Sequence, residues 1–369
     1  MRSVVPVKRP ERILVRGPNW LGDVIMSTPG LRALRRAYPD ARIVAQVPAP
    51  LVPLLEGTGD CDEIWPVASR RAGRGVLRRE ATRVAASGFD LGIVIPESIS
   101  SALRMRQGRV GRITGFARDP IRRWLLDDVV EAPSEWGRRR WVSRERFVMR
   151  LMSAVGADGE SDLGLRLCVM PSEEKRLEQS LGRVGLGLAE LRRSPPVILA
   201  PGASFGPSKC WPVRRYAELA DRFARRGRIV MLVGGPGEGA RLEAVRAAMR
   251  TRPVVFDDVL DLGALKALVR RAGLLVANDA GTRHLAAAFG VPGVIFFGPT
   301  SVAKTADNLE PIEILEADHA CRPCYRRACP TDHRCLRSIS VEHADQAAMR
   351  VLDRVGPWWS GAFRRDGAA

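Results

Sequence analysis

Lysine is nearly missing from this basic chain. Of its 59 Lys and Arg residues, only Lys8, Lys175, Lys209, Lys266 and Lys304 are lysine, set against 41 Asp and Glu for a net charge of +18. Long apolar runs are missing too. None approaches the roughly 18–20 residues needed to cross a bilayer, which excludes a helical membrane span. The stretch Met1–Pro10 holds no apolar core of signal-peptide length, so a cytosolic chain is expected. In that compartment the seven cysteines read as thiols or metal ligands rather than structural disulfides. There is no long low-complexity segment, and no recognisable nucleic-acid module accompanies the positive charge.

What is present is a recurring design. The 369 residues, 46% of them hydrophobic, are enough for two ordinary cores. Leu274–Ala277 is a short apolar run expected to be a covered strand; Asn278, Asp279 and Gly281 follow as a tight polar loop, and Thr282 is placed to cap the small-residue helix that contains Ala286, Ala287 and Ala288. A helix N-terminus at the carboxyl edge of a parallel sheet presents free N–H groups and a partial positive charge, which suits a phosphate group. Ile13–Asp23 and Val197–Pro212 repeat the pattern of strand and Gly-containing loop. Three such loops in two half-chains imply two sheets whose carboxyl edges face each other across a cleft.

Strands are expected at Arg12–Val15, Arg42–Val47, Glu63–Val67, Leu91–Ile95 and Val110–Thr114, then at Val197–Ala200, Ile229–Val233, Leu274–Ala277 and Gly293–Phe297. Helical patterns occupy Val24–Ala37, Arg215–Arg226, Ala240–Met249, Leu262–Arg271 and Val341–Val355. Alternating units with nearly all-apolar strands argue for parallel sheets covered on both faces. The break Arg192-Arg-Ser-Pro-Pro196 marks a linker over Leu188–Pro196. The expected domains are therefore 1–190, 191–340 and a terminal segment 341–369.

Arginine clusters in the first half, at 104, 106, 109, 112, 118, 122, 123, 138–140, 144 and 146, interleaved with Trp124, Trp136 and Trp141. Two readings stand: codon bias, or a surface for an anionic partner such as a phosphorylated lipid, an acidic sugar or nucleic acid. Asp23 likewise has two readings, a proton acceptor at the mouth of the first strand or a helix cap. Lys209 is a compact point charge in a chain that otherwise chooses arginine. It reads as a diphosphate contact or a solvated loop lysine.

In order and spacing, Gly17–Pro29, Pro201–Pro212, Asn278–His284 and the turn Phe297-Gly-Pro-Thr300 resemble glycosyltransferase family 9, of the lipopolysaccharide heptosyltransferase type and nearest to heptosyltransferase II. The resemblance implies a two-domain GT-B fold, α/β with two Rossmann-like domains, and an inverting transfer from an ADP-heptose donor that needs no metal cofactor for catalysis. It implies that Asp23 is the base and that Ser204, Lys209, Asp279, Ala280 and Gly281 contact the diphosphate with His284 nearby. Ala280 stands where some members have threonine, so only its backbone N–H is counted. Glu238 is the implied ribose contact. The partners implied are an anionic lipid-linked core oligosaccharide acceptor and, peripherally, the cytoplasmic face of the inner membrane, with no nucleic acid. The one Asp-x-Asp, Asp60-Cys-Asp62, precedes the strand at Glu63 and reads as a turn rather than the metal-holding pair of metal-dependent sugar transferases.

Cys321, Cys324, Cys329 and Cys335 fall in one short segment beside His319 and His333. They read as a structural zinc or iron–sulfur ligand set, or as free thiols or a local disulfide. Cys61, Cys168 and Cys210 read as buried small residues. By the GT-B resemblance, Val341–Val355 crosses back to the first domain. Beyond it, Trp358 and Trp359 suit either a membrane interface or packing on that domain. Besides the heptosyltransferase reading, a family 9 transferase using another nucleotide sugar or acceptor, a non-catalytic sugar-nucleotide binder and an RNA-binding protein remain as alternatives.

Overall fold

The uninterrupted apolar runs become strands buried along almost their whole length, as parallel sheets with helices on both faces require. The computed structural model describes residues 9–69, 72–159, 162–256 and 259–355. The chain divides into two units, Met1–Gly164 and Leu165–Ala369. In the first, β1 (Arg12–Arg16), β2 (Arg42–Pro48), β3 (Glu63–Val67), β4 (Leu91–Val94), β5 (Arg112–Phe116) and β6 (Asp128–Val130) form one sheet in the order β3-β2-β1-β4-β5-β6. In the second, β7 (Val197–Ala200), β8 (Val230–Leu232), β9 (Val254–Val255), β10 (Leu274–Asn278), β11 (Gly293–Phe297) and β12 (Ile312–Glu316) give β12-β11-β10-β7-β8-β9. Every pairing is parallel. The strand order reverses between β1 and β4 in one sheet and between β7 and β10 in the other. At such switch points the loops leaving the carboxyl ends diverge and open a crevice.

The sequence misses β6, β9 and β12, which are short or carry charges that mask a strand pattern. It also reads Val24–Ala37 as one helix. The structure has two, Leu21–Ile25 and Thr28–Ala37, because Pro29 sits in the first turn of the second and cannot donate into a continuous helix. At the break, Ser27 and Thr28 hydroxyls donate to the Val24 and Ile25 carbonyls.

Two further boundaries differ from expectation. The segment 188–196 is not simply a linker: Leu188–Arg193 is helical, started by Glu190, which accepts from the Gly187 N–H at 2.7 Å. Ahead of it, helix Pro171–Arg183 belongs to the second unit and packs on helix Leu262–Arg270. There Lys266 and Glu173, 0% and 1% exposed, meet at 3.0 Å. The unit boundary at 164/165 thus precedes the Pro-Pro break because this contact ties the intervening helix to the second unit. Helix Val341–Val355 places Ala344, Ala347, Ala348, Val351 and Leu352 in the second unit's core, against helix Val213–Arg225, β11 and β12. The tail with Trp358 and Trp359 lies outside the described residues.

Lys266→Ala should destabilise the second unit by about 3–5 kcal/mol, the usual cost of leaving a buried carboxylate without its partner. Replacing both Lys266 and Glu173 by apolar residues of similar volume should cost far less. Chemical denaturation of the two variants measures the difference.

Candidate active site

In the second unit, three loops converge at the switch point, and two consecutive residues at the end of β10 hold them. Asn278 is fully buried. Its Oδ1 accepts from the Trp211 N–H at 2.9 Å and the Tyr216 hydroxyl at 3.1 Å, and its Nδ2 donates to the carbonyls of Pro201 at 2.7 Å and Gly202 at 3.1 Å. The loop after β7 is thereby fixed to β10. Trp211 also stacks on Phe296, with centroids 4.2 Å apart.

Asp279 binds the same loops through charge. Its carboxylate accepts from Lys209 Nζ at 2.6 Å, Thr300 Oγ1 at 2.6 Å and Arg283 Nε at 3.1 Å, while Lys209 also donates to the Asp279 carbonyl at 2.7 Å. Burial by itself would raise the pKa of this carboxyl. The charges of Lys209 and Arg283, with hydrogen bonds from Lys209 and Thr300, outweigh it and hold the group well below the usual carboxylate range. Two cations around one carboxylate leave one net positive charge. One Nη of Arg283, a residue 1% exposed, has no hydrogen-bond partner among the described residues. Next to it the His284 imidazole is pushed well below its ordinary pKa, by burial first and then by Arg283, so it is neutral at physiological pH.

Helix Gly281–Ala288 starts here, and no side chain caps it: the N-cap position is Ala280, not the expected Thr282. No side chain therefore competes for the Gly281 and Thr282 N–H groups, while the Arg283 N–H donates to the Ala280 carbonyl at 3.3 Å. The Ala280 N–H, expected to serve a ligand, instead closes a tight turn on the Asn278 carbonyl at 2.7 Å. Ser204 is exposed in the turn of the β7 loop. Glu238 caps the Gly235 N–H at 2.8 Å and lies on Gly202, where an added Cβ would stand 2.1 Å from the carboxyl group. Beyond it, a pocket of about 200 Å³ is lined by Val233, Leu242, Val255, Phe256, Val259 and Leu260. The structure therefore brings Lys209, Asp279, Gly281 and His284 together and sets Glu238 between the β7 loop and an apolar pocket. Arg283, Thr300 and Asn278 are members of this site that sequence reasoning missed. The turn Phe297–Thr300 is visible as a motif, but nothing in its residues alone assigns Thr300 to Asp279.

The cysteine segment lies as a strap against the loop after β7. Its Arg326 and Arg327 carbonyls accept from Ser208 Oγ and the Ser208 N–H, and Gly206, at φ +145°, passes so close that a Cβ would stand 2.5 Å from the Arg327 oxygen. All four expected ligands are free thiols; Cys335 is buried in the core, while Cys321 and Cys324 are exposed. Among the described residues no group of three or more His, Cys, Asp or Glu is placed to hold a metal. Of the other cysteines only Cys210 is buried, Cys61 and Cys168 being half-buried. The Asp60–Asp62 turn is structural, Asp62 accepting from the Ile43 N–H at 2.7 Å.

In the first unit, the loop from Gly17 to Trp20 leaves β1 around the buried guanidinium of Arg16, which donates to the Gly17 and Gln46 carbonyls and to Asn19. Burial, with Arg104 nearby, lowers its pKa to about 10, so it stays charged at neutral pH. Asp23 lies in the first turn of helix Leu21–Ile25 but does not cap it, since Trp20 is the N-cap. That removes the capping alternative. Its half-exposed carboxylate stands 3.9 Å from Arg144 Nε, an atom with no hydrogen-bond partner among the described residues. After β4, Glu97 pairs with Arg140 and, at 3.2 Å, with Arg118. The expected arginine surface is otherwise largely engaged. Arg104 binds the Ala68 carbonyl, Arg106 and Arg112 pair with Asp127 and Asp128, Arg123 pairs with Glu131, and Arg122 is buried.

Comparison with known proteins gives this geometry a family. Residues 77–334 match the model of glycosyltransferase family 9 (heptosyltransferase). The chain belongs to this family. Its family 9 relatives include lipopolysaccharide heptosyltransferase 2 of Escherichia coli, 30% identical over 79% of this chain and 83% of that protein. Another is lipooligosaccharide heptosyltransferase 2 of Haemophilus ducreyi, 27% identical over 80% and 85%. Among solved structures, E. coli ADP-heptose LPS heptosyltransferase II superposes with a TM-score of 0.74 at 26% identity, covering 93% of this chain and 99% of that one. A family 9 glycosyl transferase from Veillonella parvula gives 0.78 at 24%, covering 93% and 97%. The protein is thus a glycosyltransferase of the GT-B fold, as its sequence motifs implied.

Because His284 is held neutral, the unfolded chain binds more protons than the folded one below the ordinary histidine pKa. Its contribution to stability is therefore full above about pH 6.5 and is lost as pH falls below that value. Thermal unfolding from pH 7.5 down to pH 5 should show this loss, and His284→Gln should flatten it.

Proposed function

We propose that this chain moves a heptose, with inversion at the anomeric carbon, from ADP-heptose to a hydroxyl of the lipopolysaccharide inner core, in the manner of a heptosyltransferase II. The observation that carries the reading is the cationic cluster of Lys209 and Arg283 around Asp279, at an uncapped helix N-terminus, in a chain of family 9. A leaving diphosphate develops charge, and preorganised N–H groups with a fixed cation stabilise it without waiting for solvent to reorganise. Lys209, Arg283 Nη and the amides from Gly281 onward supply that field, with Ser204 at the loop tip. The ribose meets Glu238, and the apolar pocket beside it accepts the flat base. The name of the E. coli relative, an ADP-heptose LPS heptosyltransferase, supports this donor and acceptor.

Asp23 takes the proton from the acceptor hydroxyl as its oxygen attacks the anomeric carbon. The bond from that carbon to the β-phosphate oxygen breaks on the opposite face, and ADP leaves with the electron pair. Arg118, Arg140 and Arg144 suit the phosphate and carboxylate groups of a lipid-linked acceptor. Such an acceptor places the enzyme at the cytoplasmic face of the inner membrane as a peripheral protein, and nucleic acid is not among its partners. No step uses a metal.

Replacing Asp23 by Asn keeps the size and removes the proton-accepting ability. The kcat should fall by at least about a hundredfold while ADP affinity changes little. Near-normal turnover would remove Asp23 from the chemistry.

Lys209→Ala should weaken ADP binding, measured by calorimetry, and slow transfer, whereas EDTA should leave the wild-type rate unchanged. A rate abolished by chelator and restored by Mg²⁺ would overturn the metal-free mechanism.

A further inference from the structure

Two neighbouring helices of the first unit carry an apolar face that nothing in the described chain covers. Helix Ile99–Gln107 turns Ser101, Ala102 and Met105 inward and leaves Ile99 and Leu103, one turn apart, 37% and 41% exposed. Helix Pro120–Trp124 buries Arg122 and leaves Ile121 and Trp124 at 62% and 87%. The two are held side by side. Arg122 donates to the Ser98 carbonyl and, at 3.4 Å, to Ser101 Oγ, while Arg106 Nε donates to the Leu125 carbonyl at 3.1 Å. The face is therefore rigid before anything binds. Arginine predominates around it: Ser98–Trp124 contains seven arginines and one carboxylate, Asp119. Arg104, Arg106 and Arg112 pair with Glu80, Asp127 and Asp128 outside that stretch, while Arg118 and Arg123, paired with Glu97 and Glu131, keep side chains 48% and 63% exposed.

We propose that this face docks the enzyme on an anionic phospholipid membrane, with Trp124 and Ile121 entering the headgroup layer and the arginines meeting lipid phosphates. Tryptophan, an apolar ring with one polar edge, favours that layer, and apolar residues flanked by arginine are the composition of surface-lying anchors. A second copy of the chain is a poor occupant, because a self-complementary contact would oppose two arginine-rich rims. A nucleic acid would meet the arginines but leave Ile99, Leu103 and Ile121 without apolar contact. The proposal rests on the reading of a lipid-linked acceptor for its purpose, since the face lies on the unit that carries Asp23.

The full chain is sedimented with vesicles of phosphatidylcholine alone and of phosphatidylcholine with phosphatidylglycerol. Binding is expected to the anionic vesicles only, and to weaken with salt. Arg123→Gln should reduce it about fivefold, and Ile121→Ser with Trp124→Ala by at least about tenfold. Both variants should keep the wild-type thermal unfolding curve and the wild-type rate toward a delipidated oligosaccharide in solution, while KM rises for acceptor embedded in vesicles. Equal binding to both vesicle types, or unchanged binding by the double variant, overturns the proposal. So does a concentration-dependent dimer that the double variant abolishes. If the variants lose vesicle binding while wild type transfers heptose to no acceptor, the docking surface stands and the proposed reaction falls.

Discussion

A charged carboxylate that is 7% exposed persists only if cations and donors replace the water it has lost, and Asp279 imposes that requirement on everything around it. Lys209 is drawn in from the loop after β7, Thr300 from the turn after β11 and Arg283 from the helix that begins two residues later. Asn278 does the same with neutral hydrogen bonds, its amide reaching both sides of the β7 loop. Residues remote in sequence are thus tied to the end of one strand, and Lys209 and Arg283 are held in position before any ligand arrives. The residual positive charge has the same origin, because one carboxylate cannot neutralise two cations.

The first unit solves the matching problem with the opposite charge. Arg16 and Arg122 are buried guanidiniums whose donors go mainly to backbone carbonyls rather than to carboxylates. Burial lowers both to about 10, which still leaves them protonated at neutral pH. Each pins a loop that leaves the carboxyl edge of the sheet: Arg16 the turn that leads to Asp23, Arg122 the turn after β4. This also explains why much of the arginine excess is unavailable to a partner. A guanidinium with five donors can bind several carbonyls at once, and this chain uses it as internal scaffolding as well as surface charge.

The strands with continuous aliphatic runs, such as Leu274–Ala277 and Val197–Ala200, were legible because burial on both faces demands that composition wherever they sit. Short β6 and β9 were not, since three or two residues carry no periodicity. Asp23, Lys209 and Asp279 could be picked out as candidates because each is a charged residue close to glycine just after an apolar strand run. Arg283 could not: an arginine one turn into a helix looks like a solvated face until the fold buries it. The placement of the cysteines was not legible either. Their spacing suggests ligands, but Cys335 points into the core with Leu336 while Cys321 and Cys324 face outward.

Local chemistry in the chain determined the alternation of strand and helix, the parallel sheets and the loops that bear function, because each follows from hydrophobic period and backbone preference within some fifteen residues. Only the tertiary structure decided which charges meet. The pairing of Lys209 with Asp279 across seventy positions, the attachment of helix Pro171–Arg183 to the second unit through Glu173 and Lys266, and the exposure of Trp124 all depend on which elements pack side by side. Those outcomes come from desolvation, which acts on a side chain only once the fold has taken its water away.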